Sequence, residues 1–150
     1  MTTNAFRSVN EAPRGFNYRF IVDHTDLTTT ANNTAQNVTL ITLPANSVVL
    51  RAATWVKTPF ANSADTAFNT TALIVGDSGD NDRYITSQEL NVNGTIVRAK
   101  AHAQSTTPFA NTSSTAVLAN FASMAGKNLD ALDQGEVHIF LFVQQLDAIS

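Results

Sequence analysis

The sequence predicts an all-β fold: an antiparallel β-sandwich of the jelly-roll kind, preceded by an extended N-terminal arm. Three observations predict it. Short segments alternate apolar and polar residues with the two-residue period of a strand, clusters of Gly, Pro, Asn, Asp and Ser separate them, and no long amphipathic helix intervenes. About seven to nine such segments are present, the strand count of a sandwich or jelly roll. The 150 residues suit one domain and contain no Cys. A chain of this size buries ~70% of the surface it exposes when unfolded, so a core forms without disulfide staples.

Residues 1–15 read as the arm. They mix Thr, Asn, Ser and Pro around one aromatic, Phe6, and its neighbour Arg7, with no periodicity. Two readings apply: a frayed terminus, or an arm ordered by a neighbouring subunit with Phe6 as the buried anchor and Arg7 as its polar contact. Residues 16–150 read as a single sandwich domain. Phe16 to His24 is the first clear strand, with Phe16, Tyr18, Phe20 and Val22 on one face and Asn17 and Arg19 on the other. Val38–Leu43 and Val48–Lys57 flank Pro44-Ala45-Asn46-Ser47, whose Pro fixes φ and whose Asn tolerates the left-handed region; together they read as a hairpin. In the second of these strands Leu50, Ala52, Thr54 and Val56 share one face, and Arg51, Ala53, Trp55 and Lys57 the other.

Phe68–Val75 is the next strand, closed by the loop Gly76-Asp77-Ser78-Gly79-Asp80-Asn81-Asp82. Tyr84–Thr86 reads as a short strand and Ser87–Asn91 as one helical turn. Asn93-Gly94 is a tight-turn pair before a strand at Thr95–Ala103. Ser114–Ala122 is another strand, Leu129–Gly135 a compact polar connection, and Gly135–Leu146 the longest strand. Val137, Ile139, Leu141 and Val143 form one face of that last strand, yet Phe140 and Phe142 stand on the other. Apolar residues on both faces mark a central strand, or one whose outer face meets another chain. Thr58-Pro59-Phe60-Ala61-Asn62 recurs as Thr107-Pro108-Phe109-Ala110-Asn111, but the flanking residues do not repeat, so two similar loop entries explain it better than a duplication.

The composition excludes several function classes. Charged residues make up 14% of the chain, against about 25% in an average globular protein, and the net charge is −3. A polar, sparsely charged surface suits lasting protein packing better than steering of a charged ligand. Nine basic residues are spread along the chain without a cluster that displaces counterions from phosphates, so no nucleic-acid partner is expected. Residues 1–10 lack the apolar stretch of a signal peptide, and Val137–Val143 is too short to span a bilayer, so no membrane partner is expected either. The Asn-x-Thr triplets at Asn37 and Asn93 are therefore read as unglycosylated.

No catalytic residue is identified, and no cofactor. Glu136 and His138 share one side of a strand, and His24 follows the first strand, so pairing of first and last strands would bring these groups towards each other as in a cupin-type metal site. The paired His motif of that site is absent, His102 stands alone between small residues, and all three histidines read as structural. No Ser sits in a nucleophile elbow, and no Gly-rich loop opens a helix. The acidic loop offers hard oxygens at Asp77, Asp80 and Asp82, an incomplete calcium-ligand pattern that a solvated turn explains equally well.

The runs Leu43-Pro44-Ala45-Asn46-Ser47-Val48-Val49, Lys57-Thr58-Pro59-Phe60 and Val75-Gly76-Asp77-Ser78-Gly79-Asp80-Asn81-Asp82-Arg83-Tyr84 resemble small structural proteins of tailed phages over about Phe20 to Val97. The resemblance implies a virion protein of the cement, decoration or head-fibre type, often a jelly roll. As a cement protein it would bind the major capsid protein and itself, as a homodimer or homotrimer, and reside in the virion after assembly in the host cytoplasm. An alternative is a receptor- or glycan-binding fibre module, for which Trp55 is the one Trp available. A cupin-like enzyme is the third and least supported reading.

Overall fold

The computed structural model describes residues 1–5, 15–91, 96–98 and 110–146. Phe6, Arg7, His102 and the Asn93-Gly94 turn lie outside the described residues. The described chain is all-β: nine strands in two antiparallel sheets, with two single 3-10 turns and no α-helix. The strands are β1 (Thr2–Ala5), β2 (Tyr18–Asp23), β3 (Gln36–Leu43), β4 (Ser47–Ala61), β5 (Thr71–Asp77), β6 (Ile85–Glu89), β7 (Ile96–Arg98), β8 (Thr115–Ser123) and β9 (Gln134–Gln145). One sheet has the order β1-β2-β9-β4-β7 and the other β3-β8-β5-β6.

Alternation builds the core between the sheets. Phe20 and Val22 of β2, Val56 of β4, Leu73 and Val75 of β5, Val117, Ala119 and Phe121 of β8, and Val137, Ile139 and Leu141 of β9 have no exposed surface. Each is two residues from the next on its strand, so one face of each sheet turns inward. Full burial of a Val, Leu, Ile or Phe contributes roughly 1.5–3 kcal/mol, so the shared face of the two sheets, rather than any single contact, holds the sandwich closed. β9 is flanked by β2 and β4, so it is a central strand, and its second apolar set, Phe140 and Phe142, lies on the outer face of the sheet.

Several elements differ from the sequence expectation, each for a physical reason. The strands β3 and β4 do not form a hairpin. They lie in opposite sheets, β3 pairing with β8 and β4 with β9, and residues 44–46 carry the chain from one sheet to the other. That corner is held locally: Asn46 takes φ 60°, Ser47 Oγ donates to Pro44 O at 2.8 Å, and Asn111 Nδ2 donates to the same carbonyl at 2.9 Å. Ser87–Asn91 is not a helical turn; β6 runs on to Glu89 because β5 offers it a pairing edge and Gln88 and Leu90 are buried. β4, at 15 residues, is longer than β9, at 12, because register shifts let it bend along the sheet. One shift, between Val49 and Arg51, hands the core position to Val49 and leaves Leu50 half-buried. Phe16 leaves the inward face of β2 and packs on Phe140 instead, ring centroids 5.8 Å apart, because β2 begins only at Tyr18. The 129–135 connection is less polar than it reads: Leu129 and Leu132 plug the open end of the core. At the other end of the chain, Thr2–Ala5 pairs with β2 as an edge strand, through backbone bonds that need no apolar periodicity.

Candidate interaction surface

The outer face of the five-stranded sheet is the least ordinary surface of the molecule. A sheet face turned to water is normally polar. Here the register brings Trp55 and Ile21 opposite His138, Ala53 and Arg19 opposite Phe140, and Arg51 opposite Phe142. Trp55 is 36% exposed and meets the His138 ring edge-on at 5.1 Å. The His138 and Phe140 rings are 6.2 Å apart, and the Arg51 guanidinium lies over the Phe142 ring at 5.1 Å. Aromatics with Arg are the composition of interface centres. Gly15, at φ +91°, passes so close to Arg51 that a Cβ there would sit 2.7 Å from the guanidinium; glycine leaves room for the cation at this point.

One corner of this face is an ionic chain. His138 is 5% exposed and its Nε2 lies 2.6 Å from Glu136 Oε1, which also accepts from Lys57 Nζ at 3.0 Å. The His138 hydrogen bond is the main cause, ahead of Lys57, that holds the Glu136 carboxyl below the usual carboxylate range against the opposing effect of burial. The Nδ1 atom of His138 is buried without a hydrogen-bond partner. β2 and β9 do pair, with Asp23 opposite Glu136, yet His24 sits in the 3-10 turn capped by Asp23 and its electrostatic partners are Asp23 and Asp133. Among the described residues no three His, Asp or Glu side chains gather in a way that would hold a metal.

The acidic loop is organised around Asp77. Its carboxylate is 4% exposed and accepts from the backbone N–H of Gly79 at 2.9 Å and of Asp80 at 3.0 Å, from Arg83 Nε at 2.7 Å and from Tyr84 Oη at 3.3 Å. Burial alone would raise its pKa; Arg83 and the two N–H groups outweigh that and lower it. Burial, and then the Asp77 charge, push the Tyr84 hydroxyl well up. Asp77 is thus the pin of a tight hairpin. Gly76 is part of the same construction, since a Cβ there would lie 2.2 Å from Asp80 O. Asp80 and Asp82 stand at the tip, and the side-chain contact with Asp80 raises the pKa of Asp82 above the ordinary carboxylate value. Of the three sequence-predicted oxygen donors, one is enclosed by its own loop and two point outward together.

A shallow cleft of about 400 Å³ at the far end of β4 is lined by neutral groups, among them Asn62, Ser63, Thr66 and Asn91. Its aromatic floor, Phe60 and Phe68, is buried, so it offers no open ring face for stacking. The sequence reading missed the pairing of Arg51 with Phe142 and of Trp55 with His138. Its signal was the two-faced apolar pattern of β9, which needed the register of β4 to become a surface.

No family model matches this sequence, and no curated protein matches it. Two solved structures are similar in fold. A chain of the capsid asymmetric unit of cyanophage Pam1 matches at TM-score 0.52 and 23% identity, over 83% of this chain and 81% of that one. A chain of the capsid of Ralstonia phage GP4 matches at TM-score 0.52 and 20% identity, over 84% of this chain and 83% of that one. This chain therefore shares its fold, over more than four fifths of its length, with polypeptides found in two phage capsids.

Proposed function

We propose that this protein is a non-enzymatic structural component of a phage head, a cement or decoration protein that binds neighbouring major capsid protein subunits and resides in the virion. The observation that carries the reading is the fold likeness to chains of two phage capsids over more than four fifths of this chain. The strand order supports a jelly roll in particular. β2 pairs with β9, β3 with β8, β4 with β7 and β5 with β6, so the domain is one long hairpin wrapped into two sheets. The aromatic outer sheet face and the sparse charge support a role in packing rather than catalysis.

The function is mechanical: each copy adds a weak contact, and repetition across a symmetric shell turns many weak contacts into resistance to rupture. The N-terminal arm, residues 1–15, is the proposed shell-attachment segment, with Phe6 as anchor and Arg7 pairing with a carboxylate or carbonyl. Burying one Phe contributes ~1.5–3 kcal/mol against the entropy of ordering the arm, so a single arm is marginal and many together are effective.

The test is cosedimentation of the purified chain with shells of the major capsid protein, with and without residues 2–15. Saturation in proportion to the number of capsid subunits, weakened by the deletion, is the expected result. Saturation at a few sites per particle would point to a fibre-type module instead, and no binding at all would sink the reading.

A further inference from the structure

Two features of opposite charge lie at the same end of the sandwich on different sheets. β5 ends at Asp77 opposite Val117, near the start of β8, and β4 begins at Ser47 opposite Gln145, near the end of β9. The 44–46 corner joins that start of β4 to Leu43, which itself faces Thr115 of β8. The hairpin tip with Asp80 and Asp82 and the Arg51–Phe142 stack therefore share one end of the molecule. The tip belongs to the four-stranded sheet, and the stack to the outer face of the five-stranded sheet.

Each feature is electrically incomplete. Arg51 is exposed, its guanidinium rests on the Phe142 ring, and it has no carboxylate partner among the described residues. Asp80 and Asp82 crowd together, and among the described residues Arg83, bound at 2.7 Å to Asp77, pairs with Asp80 at 3.9 Å. A guanidinium held over an aromatic ring retains N–H donors for a carboxylate, the acceptor with which Arg pairs most strongly.

We propose that the outer face of the five-stranded sheet is an interface with a second copy of this chain, in which Arg51, backed by Phe142, Phe140 and Trp55, receives the Asp80–Asp82 hairpin tip of the neighbour. Both surfaces lie at the same end of each copy, so the contact forms twice in a twofold dimer, each Arg51 meeting the other copy's tip, or once per neighbour in a closed ring. The tip supplies charge and register; the aromatic rings supply the area that excludes water around the ion pair. This inference does not depend on attachment to a shell.

The experiment is sedimentation velocity of the full chain, free of shells, across concentration and salt. It compares the wild type with Arg51→Glu, with Asp80→Lys/Asp82→Lys, and with all three substitutions together, each checked for an unchanged β-sheet spectrum. The wild type should sediment as a closed oligomer of two or more copies, weakened by salt. Each charge-reversed variant should dissociate at concentrations about tenfold higher or more, and the combined variant should recover at least part of that loss. Trp55→Ala should also weaken assembly, and without a change in its salt dependence. A wild type that stays monomeric at every concentration overturns the proposal. So does a combined variant no better than the sum of its parts, or a monomer that binds shells through Trp55, which would assign the face to the capsid subunit.

Discussion

Asp77 carries its charge at the base of the β5–β6 hairpin with almost no surface exposed, and four donors converge on it. Asp77→Asn keeps the shape and removes the charge that Arg83 and the two backbone N–H groups were arranged to meet. It should lower stability by about 2 kcal/mol, the scale of hydrogen bonds to a charged group, read by urea unfolding. The same carboxylate sets a pH dependence. Its folded pKa is below its ordinary value, so its stabilisation is fully present above the unfolded pKa of about 3.9 and is lost as pH falls through the folded one. The wild type should therefore lose stability below about pH 4, and Asp77→Asn should flatten that part of the curve. An unchanged acid limb would remove Asp77 from the account. Gly76→Ala is the companion substitution: its Cβ would meet the backbone of Asp80 and Asn81, so the loop must open, and the melting temperature should fall further than with Asp77→Asn. The Gly and Asp residues of this loop were legible as turn chemistry. That Asp77 faces inward was not, because burial depends on β8 closing over β5 from far along the chain.

The inner faces of β2 and β9 were legible from alternation alone, and for β9 the sequence also showed its central place. Ile139 sits on that inner face with no exposure, between Phe20 of β2 and Thr54 of β4 in the register. Ile139→Ala should cost about 2–5 kcal/mol, the range for a truncated core side chain with a residual cavity. By contrast β1 is an edge strand that pairs only with β2. Removing residues 2–15 should leave the sandwich folded with a melting temperature near that of the full chain; a truncated chain that fails to fold would place the arm within the core. The partner of each strand was less legible than its faces. A Pro-Ala-Asn-Ser link between two β segments reads as a hairpin, yet the same φ values serve a corner that leaves the sheet. The choice is made by Asn111 and Gln145, which bond back to Pro44 and Ala45 from distant positions.

For the whole molecule, composition and periodicity sufficed for the all-β sandwich, because those signals are local and repeat along the chain. The candidate surface needed two strands that are remote in sequence. Arg51, Trp55, His138 and Phe140 are unremarkable singly and form a face only when β4 lies against β9. The circular dichroism of the intact protein should show a β spectrum without the double minimum of a helix; helix near a third of the residues would contradict the fold. Trp55, the one Trp, reports on the outer face, and its fluorescence should shift to shorter wavelength on assembly if that face is covered.

The nested pairing has a consequence for the order in which the chain acquires its shape. The innermost pair is joined by a short loop, with Val75 opposite Ile85, whereas the outermost pair sets Tyr18 opposite Leu141. Closing a short loop costs the least entropy, and each pair that forms shortens the loop left for the next. The β5–β6 hairpin, pinned by Asp77, is thus the natural nucleus, and pairing spreads outward until β9 slots between β2 and β4. Because most pairings are distant in sequence, refolding should take milliseconds to seconds. During synthesis the five-stranded sheet stays open until β9 has left the ribosome. A circular permutant that joins the present ends and cuts within residues 78–82 would keep every core contact but turn the shortest loop into the longest, and it should refold markedly more slowly than the native connectivity.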